Sequence, residues 1–425
     1  MLVLLEPLLK DEVLLALHFY EQEARVNLLL APRLADVTLR PGENAAAVYL
    51  LPKILACDSF FSRRAAAGLL TEPLLQAMAA EIQLLQDWVS AYQTPEWMYS
   101  PVGSGLARQA PELAEFADWL HRPAAELAEA LAEFHRQNGF GSLALHRVWR
   151  WEGRLLPVAQ YDNICLDDLV GYQSQKDEVL ANLRLFAQEG RGNNMLLYGA
   201  RGTGKSSLVK AAANALAAEG LCLVELPLEQ MTSLPQLLAL LQPQPRRYLL
   251  FIDDLSFERA DQSYKITKAV LEGSVTTLGQ NVLICATSNR RHLIVENWQD
   301  REGVEHLGGE VRASDSMSEK LSLADRFGLT VLFSVPRQEE YLQIVQALAA
   351  ADGIELPEAE LRRRALQWAM WQKHNGHSGR TARQFVNSLS AALEEVNDEL
   401  QLGRSAAGRG QLFDYRSVPS FGYQG

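Results

Sequence analysis

Apolar residues recur at helical spacing through the first 141 positions and then give way to short apolar runs of strand character. The early part is rich in Ala, Leu and Glu and is broken at Pro32, Pro41-Gly42, Pro52, Pro95 and Pro101. Leu113, Phe116, Leu120, Leu127, Leu131 and Phe134 fall on one helical face, a stripe best read as core, with Pro123 expected in the first turn of its second helix. Residues 1–141 are therefore predicted to form a separate helical domain. Residues 142–160 are predicted to be a hairpin linker, because apolar positions alternate around the turn signal Glu152-Gly153. Over 161–336 the runs MLLYG (195–199), LCLVEL (221–226), YLLFIDD (248–254), NVLICATS (281–288) and LTVLFS (329–334) are separated by helical stretches. That alternation predicts an α/β core with a parallel sheet covered on both faces. Residues 337–402, with Leu342, Val345, Leu348, Leu366, Trp368, Met370 and Trp371, read as a small helical lid, and 403–425 as a flexible tail.

The composition of the 425 residues, 48% hydrophobic and 22% charged, excludes a disordered or collagen-like chain. A formal charge of −12, from 40 Lys plus Arg against 52 Asp plus Glu, argues against indiscriminate binding to nucleic acid. A local basic face from Arg147, Arg150, Arg154, Arg290 and Arg291 stays open. Cys57, Cys165, Cys222 and Cys285 form no CxxC pair and are expected to be buried thiols in a reducing compartment. The apolar start is interrupted by Glu6, Pro7, Lys10, Asp11 and Glu12, so neither a signal peptide nor membrane insertion is expected, and the chain is read as cytoplasmic. His374 and His377 lack accompanying ligands and are assigned no zinc. Trp149 and Trp151 share a strand face and are expected to pack rather than to stack on a base.

Gly199-Ala200-Arg201-Gly202-Thr203-Gly204-Lys205-Ser206 matches GxxxxGK[ST] between a strand-like run and a helical one. The glycines let successive N–H groups turn inward, and the following helix, with Ser207 in its first turn, presents its positive end to the same place. This loop is expected to cradle the phosphates of ATP, with Lys205 reaching the β- and γ-phosphates and the Ser206 hydroxyl on Mg²⁺. The apolar strand that ends in Asp253-Asp254 has the Walker B form. Asp253 is expected to support the Mg²⁺ through water, and either Asp254 or Glu258 to polarise the attacking water.

Further segments narrow the class. Asp168-Leu169-Val170-Gly171-Tyr172 resembles the segment that holds adenine in AAA+ ATPases, with Val170 and Gly171 against the base. Asn289 resembles sensor 1, and Leu323-Ala324-Asp325-Arg326-Phe327 the region that carries an arginine finger. The stretch 376–383 resembles sensor 2, with Arg380 and Arg383 competing for the role. FIDDLSFE, ATSNRRHL and EKLSLADRFGL further resemble a bacterial family of predicted AAA+ ATPases of unassigned role. The resemblance spans about 166–402. It implies a three-layer P-loop NTPase core with a helical lid, and an ATPase acting as a homo-oligomer with Arg326 acting in trans. Arg290-Arg291-His292 would then line a pore or contact a polyanion, or form a solvated loop.

Two functions follow as expectations. In one, ATP hydrolysis drives remodelling of a protein or nucleic-acid partner selected by the helical domain. In the other, the chain is a slow nucleotide-gated switch or loader.

Overall fold

The computed structural model describes residues 4–19, 23–34, 39, 42–99, 111–158, 161–162, 164–255, 279–289, 327–371 and 376–406. Seven helices make up the described amino-terminal part: α1 (Glu12–His18), α2 (Glu23–Arg33), α3 (Ala45–Leu55), α4 (Phe60–Ala66), α5 (Glu72–Ser90), α6 (Pro111–Glu115) and α7 (Ala124–Asn138). Their starts are set by polar caps. Asp11 accepts the N–H groups of Val13 and Leu14, Asn44 accepts that of Ala47, and Ser59 and Ser62 cap each other reciprocally. The apolar stripe packs into this helical core, with Leu120 partly buried and the other five members buried. Pro123 sits one position earlier than expected, at the cap of α7 rather than inside its first turn. Among the described residues no single helix is long and apolar enough to cross a membrane.

The hairpin departs from its reading as a linker. β1 (Val148–Trp151) pairs antiparallel with β2 (Leu155–Pro157) and parallel with β4 (Leu221–Glu225), so it belongs to the central sheet. With β3 (Met195–Gly199), β5 (Arg247–Ile252), β6 (Val282–Ser288) and β7 (Leu329–Phe333), the order is β2-β1-β4-β5-β6-β3-β7, and every pairing except β1–β2 is parallel. Period-two alternation divides the apolar side chains. Leu196, Tyr198, Leu250 and Ile284 face α10 (Leu234–Leu241), together with Trp149 and Trp151. Met195, Leu197, Leu249 and Cys285 face α8 (Gln173–Glu189) and α9 (Lys205–Ala215). Both tryptophans are fully buried, and Trp151 donates to Ser233 Oγ at 2.6 Å.

α11 (Gln338–Ala351), α12 (Glu358–Trp371) and α13 (Gly379–Ala406) form the helical end around Tyr341, Val345, Ala365, Phe385 and Leu389. Met370 and Trp371 point outward instead, at 82% and 57% exposure. α13 runs to Ala406, past the tail boundary read at 403, and residues 407–425 lie outside the described ones. Cys165 also departs from expectation: it is exposed, whereas Cys57, Cys222 and Cys285 are buried.

A polar joint fastens the helical part to the sheet. Phe140 N–H donates to Gln244 Oε1 at 3.1 Å, and the Gln244 amide returns a bond to the Phe140 carbonyl at 3.3 Å. Arg246, 4% exposed, donates to the carbonyls of Leu143 and His146 and to Asn138 Oδ1. Just before β6, Asn281 donates to the carbonyls of Leu241 and Gln244 at 2.9 and 2.8 Å. A buried guanidinium that satisfies two backbone carbonyls and one side-chain oxygen is costly to separate from them.

His135 lies against this joint, buried, with Nδ1–H donating to the Gly139 carbonyl at 2.8 Å. Burial pushes its imidazole down to about 4. Its folded value lies below the ordinary one, so stability is full above pH 6.5 and falls as the unfolded chain alone takes up a proton between there and pH 4. The contribution is roughly 3 kcal/mol over that window. Thermal unfolding at pH 7 and pH 4.5 checks it: His135→Gln should narrow the parent's loss of stability, and an unchanged loss would remove His135 as its source.

Candidate nucleotide site

A cleft of about 650 Å³ opens at the carboxyl ends of β3, β5 and β6 and is closed from above by the helical end. The turn between β3 and α9 forms its floor. Gly199, Gly202 and Gly204 have φ of +135°, +76° and +86°, conformations that side chains resist. Thr203 is buried and ties the loop together by donating from Oγ1 to the Ala200 carbonyl at 2.9 Å. The first N–H groups of α9 have no intrahelical partner and face the cleft with the positive end of the helix dipole. Arg201 is exposed at the rim, and Ser207 lines the wall.

Lys205 is 5% exposed, and its Nζ is folded back to donate to the carbonyls of Ala200 (2.7 Å) and Gly199 (3.3 Å) and to Asn289 Oδ1 (3.1 Å). Burial is the main cause that brings its ammonium down to about 8. Asp253 and Asp254 pull the other way, and Arg201 and Arg380 add to the lowering. The sheet order explains the contact with Asn289: β6 lies between β3 and β5, so the residue just past its end emerges between Lys205 and the carboxylates. Asn289 also donates from Nδ2 to Asp254 Oδ1 at 2.6 Å. Ser206 Oγ donates to Asp253 Oδ1 at 2.7 Å. A hydroxyl and a carboxylate side by side are hard oxygen donors, suited to a Mg²⁺ that takes its remaining ligands from phosphate and water.

The segment 168–172 forms one side wall. Gly171 has φ +82° and Tyr172 φ +55°. The Tyr172 hydroxyl donates to the Ser334 carbonyl at 2.7 Å, and its ring lies 5.2 Å from that of Phe333. Lys176 donates to the carbonyls of Leu166 and Leu169, which fixes the chain entering Val170. Val170 itself packs on the helical end.

The two arginines of α13 separate. Arg383 is engaged by both oxygens of Asp352 at 3.0 and 2.9 Å. Arg380 sits directly over the loop, its N–H donating to the Gly202 carbonyl at 3.3 Å, and among the described residues its guanidinium has no hydrogen-bond partner. Contact here is close, since a Cβ on Gly202 would lie 3.1 Å from both Arg380 Cβ and Ser378 Oγ.

The cleft thus gathers Val170, Gly171, residues 201–207, Asp253, Asp254, Asn289, Arg380 and Arg383, with Gly199 and Ala200 buried. Glu258, Arg290, Arg291, His292, Arg326 and His374 lie outside the described residues. His377 stacks on Tyr341 at 5.0 Å. Of the basic face, Arg150 is paired with Glu152 and Glu225, Arg147 donates to the Ala217 carbonyl, and Arg154 is exposed. Thr287 is the participant that the sequence reading missed. It looked like one more strand residue, yet its hydroxyl touches the Asp253-Asp254 turn.

A largely parallel sheet with the Asn289 strand inserted between the phosphate-loop strand and the acidic strand, capped by a helical end, is a P-loop NTPase fold of the AAA+ class. The chain belongs to the family described as "Protein of unknown function (DUF815)", whose model matches residues 144–393. No curated protein matches it. Among solved structures it is similar to the RuvB Holliday junction branch migration motor of Thermotoga maritima, at 18% identity and a TM-score of 0.38 over 55% of this chain and 66% of that one. It is also similar to the FIGL-1 AAA domain in complex with ADP, at 17% identity and a TM-score of 0.37 over 61% and 81%. The matched region therefore spans just under two thirds of the RuvB structure.

Proposed function

We propose that the chain binds Mg²⁺·ATP in this cleft, hydrolyses it, and uses the cycle within a homo-oligomer to remodel a protein or nucleic-acid partner. The observation that carries the reading is the connected set Lys205–Asn289–Asp254 beside Ser206–Asp253, laid across the mouth of a glycine-built phosphate loop. Lys205 exchanges its carbonyl partners for phosphate oxygens and places its charge where negative charge accumulates. Mg²⁺, when bound, neutralises charge on the β- and γ-phosphates, with Ser206 and Asp253 as its protein partners. Asp254, or Glu258 in its place, orients the attacking water with Asn289 and takes its proton. Arg380 contacts the nucleotide from the helical end, Arg383 supports it from its pair with Asp352, and Arg326 of a neighbouring subunit completes the charge balance. Val170 and Gly171 meet the base.

One feature favours the slower alternative, a nucleotide-gated switch or loader. Asp254 is one methylene shorter than glutamate, and its carboxylate is already engaged by Asn289. Steady-state hydrolysis per subunit across protein concentration separates the readings. The remodelling ATPase should show a specific activity that rises with concentration and collapses to the dilute-solution rate in Arg326→Ala, while ATP binding is kept. A rate independent of concentration would sink the trans arrangement, and tight binding with negligible turnover at every concentration would leave the switch.

A further inference from the structure

The hydrolysis proposed above gives Thr287 no role, yet among the described residues it makes three hydrogen bonds to the acidic turn. Thr287 is the penultimate residue of β6 and 2% exposed. Its hydroxyl donates to Asp253 Oδ1 at 2.5 Å and accepts the Asp254 N–H at 2.9 Å. Its carbonyl accepts the Leu255 N–H at 2.7 Å. One residue therefore holds three successive residues of the neighbouring strand's end.

The middle one needs holding. Asp254 has φ +55°, a left-handed conformation that L side chains adopt at a cost and that persists only where surroundings enforce it. The stiff χ1 of a β-branched residue gives the hydroxyl a fixed position, which a flexible side chain would not. The adjacent Ser288 does not share the task, because its buried Oγ finds no partner among the described residues.

We infer that Thr287 is a positioning residue for phosphoryl transfer. Through Asp253 it sets the carboxylate that faces Ser206, and through the Asp254 amide it maintains the backbone turn that delivers the Asp254 carboxylate to Asn289. The inference rests on the ATPase reading. Valine keeps the shape and removes the hydroxyl. Asp253 then loses a donor, the Asp254 N–H loses its acceptor, and the turn is free to leave φ +55°.

Thr287→Val and Thr287→Ser in the full chain test it, with three readouts: binding of a fluorescent ATP analogue in EDTA, the Mg²⁺ concentration at which that binding strengthens, and the kcat and KM for ATP. For valine, metal-free affinity should stay within about twofold, the Mg²⁺ midpoint should rise about tenfold, and kcat should fall about 100-fold with little change in KM, the scale on which partners of metal-facing groups act. Serine should restore kcat to within several-fold. The inference is overturned if valine leaves both the Mg²⁺ midpoint and kcat unchanged, if it weakens metal-free binding as much as turnover, or if serine fails as badly as valine. Should the parent bind nucleotide without turning it over, hydrolysis is lost as a reading while the Mg²⁺ midpoint alone still decides whether Thr287 sets Asp253. A parent that binds no nucleotide removes both.

Discussion

Lys205→Met is expected to abolish turnover and to weaken ATP binding by roughly 10- to 100-fold, the worth of hydrogen bonds to a charged group, while leaving the nucleotide-free protein as stable as its parent or slightly more so. The two halves of this expectation have one cause. The ammonium is 5% exposed and held by two loop carbonyls and Asn289. Burial opposes its charge, which is why it is brought down to about 8. A methionine of similar length removes a desolvated cation without opening a large cavity, so folding loses little. Phosphate recognition loses its central point charge. The pH dependence has a definite sign. Bound phosphate favours the ammonium, so binding raises its pKa and draws in a proton wherever the free protein has lost one. ATP affinity should therefore be level from pH 7 to 8 and fall above pH 8, by up to about tenfold per pH unit. The methionine variant should lack that fall. Isothermal titration with ATP at several pH values, beside thermal unfolding with and without nucleotide, reads both parts. Retention of parental ATP affinity by Lys205→Met would remove the loop from the proposed chemistry.

Gly199→Ala should damage the fold itself. At φ +135° its backbone is in a region closed to other residues, and a Cβ built there lies 2.1 Å from the carbonyl oxygen of Phe333. That oxygen accepts the Ala200 N–H at 3.2 Å, so the collision falls on backbone that joins β3 to β7 and cannot rotate away. Backbone strain together with the broken contact is expected to cost about 3 kcal/mol or more. Gly204→Ala is the comparison. Its φ of +86° carries conformational strain of about 1–2 kcal/mol, but among the described residues the added Cβ would meet only Leu169 Cδ2 at 3.9 Å. Urea unfolding of the two variants should separate them clearly. Equal losses would mean that conformation, and not contact with Phe333, governs position 199.

These two positions were legible in the sequence because their demands are local. A GxxxxGK[ST] spacing between a strand and a helix declares both the turn and the charge it presents, and an apolar run ending in Asp253-Asp254 declares a strand that carries acids to its end. Each of the five strand-like runs contains or closely overlaps one of the strands β3 to β7. What stayed hidden depends on partners distant in sequence. Glu152-Gly153 announced a hairpin, but nothing local could say that Val148 would pair with Leu223 and turn a linker into the edge of the sheet. Spacing favours Arg380 over Arg383 only slightly, and it is Asp352, 31 residues upstream of Arg383, whose pairing sets the two apart. Thr287 reads as an ordinary β-branched strand residue until β5 is laid beside β6. Cys165 looked like the other thiols and is exposed because it precedes a short turn rather than a strand. Met370 and Trp371 continued a helical apolar pattern but fall on the outward side of α12.

The joint at Gln244 and Arg246 has a mechanical consequence. Arg246 is covalently followed by β5, and β5 is followed by Asp253, so a single strand of six residues, about 20 Å long, is gripped at one end by the helical part and at the other by Thr287 and Ser206. A pull on the helical part is delivered along the axis of that strand. To yield, β5 has to slide against β4 and β6 together, which loads both hydrogen-bond ladders in shear instead of opening them one bond at a time. Load borne by the described helices α1 to α7 thus arrives at the acidic turn as tension in that strand.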